Sequence, residues 1–348
     1  MDLVSYQVVV QTAFLGDLFL SISLLKSIRK TYPDDKIVLV CKRGLGDYFL
    51  KENLVDLIFE VRKNNRSDYA EVKKKLNKIK ISNLFCVHRS IRSQLLCWQI
   101  KADLKIGFES FLGKFIFNKT VEFKSSWPEP LRQLWIMSAV DLVLKDELQQ
   151  TDWSYLNKNK NAFDLNPLPE KFSSMQTATS KGKKICLFPG SVWATKKWTE
   201  AGFCEAGNFF ANQGYEIFLM GGADEREICQ KIKLKLPSAQ VIAGQKSIME
   251  SIEFIKSSVL VICNDSAPAH MAASVNTDVV AVFGPTTLDL GFRPWTNRVK
   301  VVQNMALNCR PCGKHGHQQC PLKHHHCMTE IKASEVIKAS LELLNLNH

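Results

Sequence analysis

Phe188-Pro-Gly-Ser-Val-Trp-Ala-Thr-Lys-Lys-Trp198 and Cys263-Asn-Asp-Ser-Ala-Pro-Ala-His-Met271 share one pattern. Each closes an apolar run (Lys184–Phe188, Val259–Cys263), turns on small or polar residues, and leads into a helical segment (Thr199–Asn212, Pro268–Val275). Val279-Val-Ala-Val-Phe-Gly-Pro-Thr-Thr287 ends a further apolar run in a glycine turn with two hydroxyls. Unbroken apolar runs of this length fit parallel strands buried on both faces. Sheets of that kind hold ligands at the carboxyl ends of their strands, where helix amino ends offer free N–H groups to anions.

The alternation extends in both directions. Toward the carboxyl end it predicts strands at Glu216–Met220 and Val241–Ile242. The helices there are Asp224–Leu236, stopped by Pro237, then Ile248–Ser257 and an amphipathic Ala333–Leu344. Toward the amino end it predicts strands at Val8–Val10, Lys36–Cys41, Leu57–Val61 and Asn83–His88. Helices Leu18–Thr31, Leu45–Glu52 and Tyr69–Ile79 separate them. After the Trp127-Pro-Glu-Pro130 break, one helix is expected over Leu131–Leu144, and the polar stretch Asn157–Ser180 reads as a linker. The expected fold is α/β, two facing Rossmann-like domains with a ligand cleft between them. The expected division is 1–165, a linker at 166–182, a second domain at 183–330 and a terminal helix at 331–348.

With 348 residues, 45% hydrophobic and 23% charged, the chain has room for two ordinary globular domains. No apolar run reaches the roughly 20 residues that span a bilayer. The start Met1-Asp-Leu-Val-Ser-Tyr-Gln-Val-Val-Val10 has no basic leader and reads as a strand, so a cytoplasmic location is expected. The net charge of +12 suits an acidic partner, whether nucleic acid, a membrane surface or a phosphorylated glycolipid. Neither a basic helix nor an aromatic-interleaved strand motif supports nucleic acid. Eleven cysteines, an odd number with several in apolar runs, read as reduced thiols.

Four groups of residues can carry chemistry. Gly16-Asp17 opens the helix after the first strand, where Asp17 either caps that helix or serves as a general base. In Pro189–Trp198 a glycine turn precedes Ser191, Thr195 and either Lys196 or Lys197, two hydroxyls and a cation fit for a phosphate. In Asn264–His270, Asp265 or Ser266 suits a helix cap and Pro268 the first turn, with His270 just inside, and Gly284 turns the next strand end. Cys309, Cys312, Cys320 and Cys327, with histidines between them, permit a structural zinc site or a packed loop of reduced thiols. No P-loop and no Asp-x-Asp metal clamp is present.

Together these segments resemble the bacterial heptosyltransferases of glycosyltransferase family 9. The resemblance runs through Phe14-Leu-Gly-Asp-Leu18, His88-Arg-Ser-Ile-Arg-Ser93, Pro189–Trp198, Met220-Gly-Gly-Ala223, Asn264–His270, Phe283-Gly-Pro-Thr286 and Cys309–Met328. The Ser191–Trp198 string is more similar to members that add the second heptose than the first. The resemblance implies a GT-B fold, inverting transfer from ADP-heptose to the lipid A–Kdo inner core of lipopolysaccharide, no cofactor and no catalytic metal. It implies Asp17 as base, Lys196 on the donor diphosphate with Ser191 beside it, and Asp265, Ser266 and His270 at the donor-binding helix. Arg89 and Arg92 are expected at acceptor phosphates or carboxylates, and the positive charge at the inner-membrane surface. A different nucleotide sugar, transferred or epimerised, fits the same plan. Ala267 departs from the family, which usually has glycine there, and its methyl would crowd a diphosphate. Thr199 stands where proline is common.

Overall fold

The computed structural model describes residues 4–172 and 182–346. The chain forms two compact units, Met1–Trp153 and Ser154–His348. In the first, β1 (Tyr6–Val10), β2 (Lys36–Lys42), β3 (Leu57–Val61), β4 (Ile81–Cys86), β5 (Leu104–Phe108) and β6 (Lys119–Val121) form one parallel sheet, ordered β3-β2-β1-β4-β5-β6. In the second, β7 (Lys184–Phe188), β8 (Glu216–Leu219), β9 (Gln240–Val241), β10 (Leu260–Asn264), β11 (Asp278–Phe283) and β12 (Val299–Gln303) repeat the plan, ordered β12-β11-β10-β7-β8-β9. Each sheet runs outward both ways from its first strand, the doubly wound Rossmann order. The order reverses beside β1 in one unit and beside β7 in the other. Loops leaving β1 and β4, or β7 and β10, therefore diverge and leave a crevice at the strand ends.

The apolar runs fill the sheet centres. Val8–Val10, Ile37–Cys41, Ile185–Leu187, Leu260–Cys263 and Val279–Val282 are buried on both faces. Helix bounds follow local chemistry. Thr199 is the N-cap of the helix Glu200–Asn212, its hydroxyl accepting the Gly202 N–H at 3.0 Å. A proline at this position would instead have preset the backbone angle.

Three expectations change. The helix expected over Leu18–Thr31 starts at Leu15 and is two pieces, Leu15–Phe19 and Ile22–Thr31. At the break the Ser21 hydroxyl bonds the Asp17 carbonyl at 3.2 Å and Gln133 Oε1 at 2.6 Å, and Gln133 donates to the same carbonyl. These side chains replace main-chain bonds there. The helix expected over Leu131–Leu144 is likewise divided: Glu129–Leu134, a 3₁₀ turn Trp135–Ala139, then Leu142–Gln149 capped by Asp141.

The boundary between units also falls earlier than 165. Arg293 donates to the carbonyls of Leu156 and Asn166, Lys300 pairs with Asp164, and Asn297 brackets Leu168. Polar residues 157–168 are thus bound to the second sheet rather than linking two domains. The helix Ala333–Leu343 packs on the same unit through Val336 and Ala339. Of the linker expected at 166–182, residues 173–181 lie outside the described residues.

Candidate functional site

In the second unit the loop after β7 and the helix start after β10 meet at the reversal of strand order. Asn264 joins them: its Nδ2 donates to the carbonyls of Pro189 and Gly190 at 3.0 and 3.1 Å, and its Oδ1 accepts the Trp198 N–H at 2.8 Å. Lys196 then reaches Asp265, with Nζ 2.6 Å from Oδ2 and 3.3 Å from the carbonyl oxygen. The two side chains are only 13% and 7% exposed. Thr286 donates its hydroxyl to the same Asp265 oxygen at 2.6 Å. An ammonium has three donors, so this arrangement aims Lys196 without exhausting it.

The helix Ala267–Ser274 starts beside this pair. Its N-cap, Ser266, makes no side-chain cap bond, and its hydroxyl instead donates to the Asn264 carbonyl at 3.3 Å. Ala267 is the first helical residue and Pro268 follows it. His270, one turn in, is buried with Nδ1 unpartnered. Burial pushes its imidazole down to about 4, the Asp265 charge working against this and the Lys196 charge with it.

A folded-state value below the ordinary 6.5 means the unfolded chain binds the proton more readily. Stability from neutral His270 is complete above pH 6.5 and lost as pH falls toward 4, with an upper size on the order of 3 kcal/mol. The variant His270→Gln should therefore show a shallower loss of urea midpoint between about pH 7 and about pH 4.5 than the parent. Parallel losses would count against a neutral buried imidazole.

Other expected site residues take different places. Thr195 is buried and its hydroxyl is doubly engaged, donating to the His317 carbonyl at 2.8 Å and accepting the His317 N–H at 2.7 Å. It anchors the 309–327 loop instead of presenting a hydroxyl to a ligand. Ser191 accepts the Trp193 N–H at 3.3 Å within its own turn. Gly284 is bare because a side chain there would strike Met328. Cys309, Cys312, Cys320 and Cys327 lie near enough to one another for their charges to be felt, but among the described residues no group of three His, Cys, Asp or Glu is placed to hold a metal ion. The Cys312 thiol donates to the Cys309 carbonyl at 3.2 Å, and Cys327 is packed in the core of the unit. All eleven cysteines are free thiols.

Two residues missed in the sequence belong to this region. Glu225 folds back over the glycine turns ending β7 and β8: its carboxylate accepts the Gly222 N–H at 2.9 Å, and a Cβ at Gly190 or Gly221 would overlap it. Burial pushes its carboxyl up, against the Gly222 N–H. The signal was Gly221-Gly222-x-x-Glu225 directly after a strand. Arg310 clasps the turn after β11 through the carbonyls of Gly284 and Thr286, and reaches Gln303 Oε1 at 2.9 Å. No local pattern marks it.

In the first unit Asp17 is the third residue of the helix Leu15–Phe19, half-buried, with Oδ2 accepting the Phe14 N–H at 3.2 Å. It is not the N-cap but the residue that reaches back to it. Glu129 is near enough for its charge to be felt. Burial pushes the Glu129 carboxyl up, the Arg132 guanidinium restrains that rise, and Asp17 adds to it. Arg89 stacks on the Phe123 ring at 3.9 Å. Arg92 points elsewhere, into a cavity of about 570 Å³ shared with Lys63, Arg66 and Lys73. The two arginines therefore serve different surroundings. His88, just before Arg89, bonds Thr12 and Ser93, both at 3.0 Å. Burial, then the charges of Lys42, Arg92 and Lys63, push its imidazole down to about 4.

Known proteins are similar to this chain in sequence and in fold. The chain is 33% identical over 174 residues to a lipooligosaccharide heptosyltransferase 2 of Campylobacter jejuni, 48% of this chain and 53% of that protein. It thus spans about half the length of that relative. It is 23% identical over 301 residues to a lipopolysaccharide heptosyltransferase 3 of Escherichia coli, covering 82% and 85% of the two chains. The solved ADP-heptose lipopolysaccharide heptosyltransferase II of E. coli superposes with a TM-score of 0.73 at 19% identity, over 98% of each chain. That likeness establishes the expected GT-B fold. The model of glycosyltransferase family 9 (heptosyltransferase) matches residues 70–326, a span that holds Lys196, Asp265 and His270 but begins after Asp17. With most of its length matched, the chain belongs to glycosyltransferase family 9.

Proposed function

We propose that this protein is an inverting glycosyltransferase that moves a heptose from ADP-heptose to the lipid A–Kdo inner core of lipopolysaccharide, at the cytoplasmic face of the inner membrane. The observation that carries the donor half is the Lys196–Asp265 pair at the uncapped start of the helix Ala267–Ser274. A cation and a helix amino end at a strand-order reversal form a diphosphate site. The unpartnered Nδ1 of His270 adds a polar atom beside it. Ser191 and Gly284 flank the site at neighbouring strand ends. Glu225, after the second strand of its Rossmann unit, is where a carboxylate takes ribose hydroxyls. Thr195 supports the site from behind through His317.

In the reaction Asp17 takes the proton from an acceptor hydroxyl as that oxygen attacks the anomeric carbon. The bond to ADP breaks with inversion, and Lys196 with the helix amino end stabilises the departing diphosphate. Arg89 and Arg92 hold anionic groups of the acceptor. Replacing Lys196 by alanine should weaken ADP binding by about 10- to 100-fold, since charge-assisted bonds to phosphate contribute about 1.5–3 kcal/mol. Titration calorimetry with ADP and UDP reads this directly, beside a melting curve that reports any effect of leaving Asp265 unpaired. Unchanged ADP affinity would remove Lys196 from the donor site, and preference for UDP would replace the donor.

A further inference from the structure

The helix Ile91–Gln99 is apolar on two sides. Its inward side buries Leu96 and Cys97 in the core of the first unit. Ile91, Leu95 and Trp98, spaced to lie along one outer face, stay in solvent, and Trp98 is 61% exposed. The neighbouring turn, tied on by the Ser110 hydroxyl to Gln94 at 3.2 Å, adds Phe111 and Phe115, 83% and 77% exposed with their rings 6.1 Å apart. The core does not need this second face, and five large apolar side chains together are more than the scattered exposure normal for a surface.

Cations lie beside it: Lys105 donates to the Trp98 carbonyl at 3.1 Å and Lys73 to Gln99 Oε1 at 3.3 Å. Residues 89–119 carry Arg89, Arg92, Lys101, Lys105, Lys114 and Lys119 against only Asp103 and Glu109. Leu95 also borders the cavity that holds Lys63, Arg66 and Lys73. Tryptophan and phenylalanine within a basic rim are the composition of surfaces that enter the headgroup layer of an anionic membrane. A second copy of a chain with net charge +12 would set like charges against each other around this face. Among the described residues no helix is long and apolar enough to cross a membrane, so contact through this patch is at the surface.

We propose that Ile91, Leu95, Trp98, Phe111 and Phe115 form a docking face that inserts into an anionic lipid bilayer, its basic rim meeting the lipid headgroups. This deepens the reading of a lipid-borne acceptor. Its test is read without any sugar nucleotide, so failure of the donor assignment leaves it intact, and ADP titration reports that assignment separately.

The experiment is co-sedimentation of the full chain with vesicles of phosphatidylcholine, with and without phosphatidylglycerol. The comparison protein is the triple variant Trp98→Ser, Phe111→Ser, Phe115→Ser, checked by circular dichroism and melting. The parent should sediment with the anionic vesicles and less with neutral ones, and the variant should lose about tenfold or more in partition coefficient, since binding follows buried apolar area. Equal binding by parent and variant, or no binding by the parent, overturns the proposal. So does sedimentation velocity showing a parent dimer that the triple variant converts to monomer, because the face would then belong to a second copy.

Discussion

Asp17→Asn should lower kcat for heptosyl transfer by about 10²- to 10⁴-fold, the usual contribution of a general base, while ADP binds as before. Asparagine is the informative substitution because of what Asp17 does in the fold. Its Oδ2 accepts the Phe14 N–H, and the amide oxygen of asparagine accepts that bond equally well. The main-chain bonds from Ser21 and Gln133 do not involve the side chain at all. A carboxylate whose part was to close the helix start would keep that bond as asparagine and leave turnover near the parent's. A base would not, since a neutral amide takes no proton from an attacking hydroxyl. Rates with synthetic acceptor, alongside calorimetry with ADP, separate the two. Turnover within about threefold of the parent would return Asp17 to a purely structural role. Glu129 bears on the same point. The Asp17 charge adds to the rise that burial imposes on the Glu129 carboxyl, and Arg132 restrains it.

What could be read in the sequence was what the chain states locally. β3 and β7 fall at the expected residues because each is a short, mostly apolar run bounded by charged or turn-forming residues. The turns after β7 and β10 were legible for the same reason: glycine, proline and hydroxyl residues follow a strand and precede a helix, and there Lys196 pairs with Asp265. β5 and β12 were not recognised. Lys105 and Gly107 interrupt the apolar pattern of β5, and Gly107 is needed because the Phe117 ring lies where its side chain would be. Lys300 interrupts β12 and turns outward to Asp164 and Glu342. Thr195 shows the opposite error. A hydroxyl beside two lysines reads as a ligand group, but its partner is main chain far along the sequence, and no local pattern reports it. Arg310 acts through similarly distant contacts, whereas Glu225 bonds Gly222 three residues away and had a local sign in the Gly221-Gly222 pair.

Arg293→Ala should destabilise the second unit by about 3–5 kcal/mol, the combined cost of two buried carbonyls left unpaired, about 1–3 kcal/mol each, and a cavity. Arg293 is fully buried, and its guanidinium donates to the carbonyls of Leu156 at 2.6 Å and Asn166 at 2.7 Å, with Thr296 at 3.5 Å. Burial pushes it down to about 9, so it remains charged at neutral pH and depends on those carbonyl dipoles. Removing it opens a cavity and leaves the carbonyls dry and unpaired, a double loss. The effect should be regional. Residues 154–168 lie on the second sheet through Arg293, the Lys300–Asp164 pair and Asn297, so hydrogen exchange there should quicken first. β1 to β4 belong to the other compact unit and should keep their protection. Arg293→Lys should recover only part of the loss, because an ammonium on a shorter reach must come to the place of Nη1, which donates to both carbonyls. A fall in stability below about 1 kcal/mol for the alanine variant would mean that apolar packing, not the guanidinium, fixes this segment. The unit boundary at Trp153 would then need another cause.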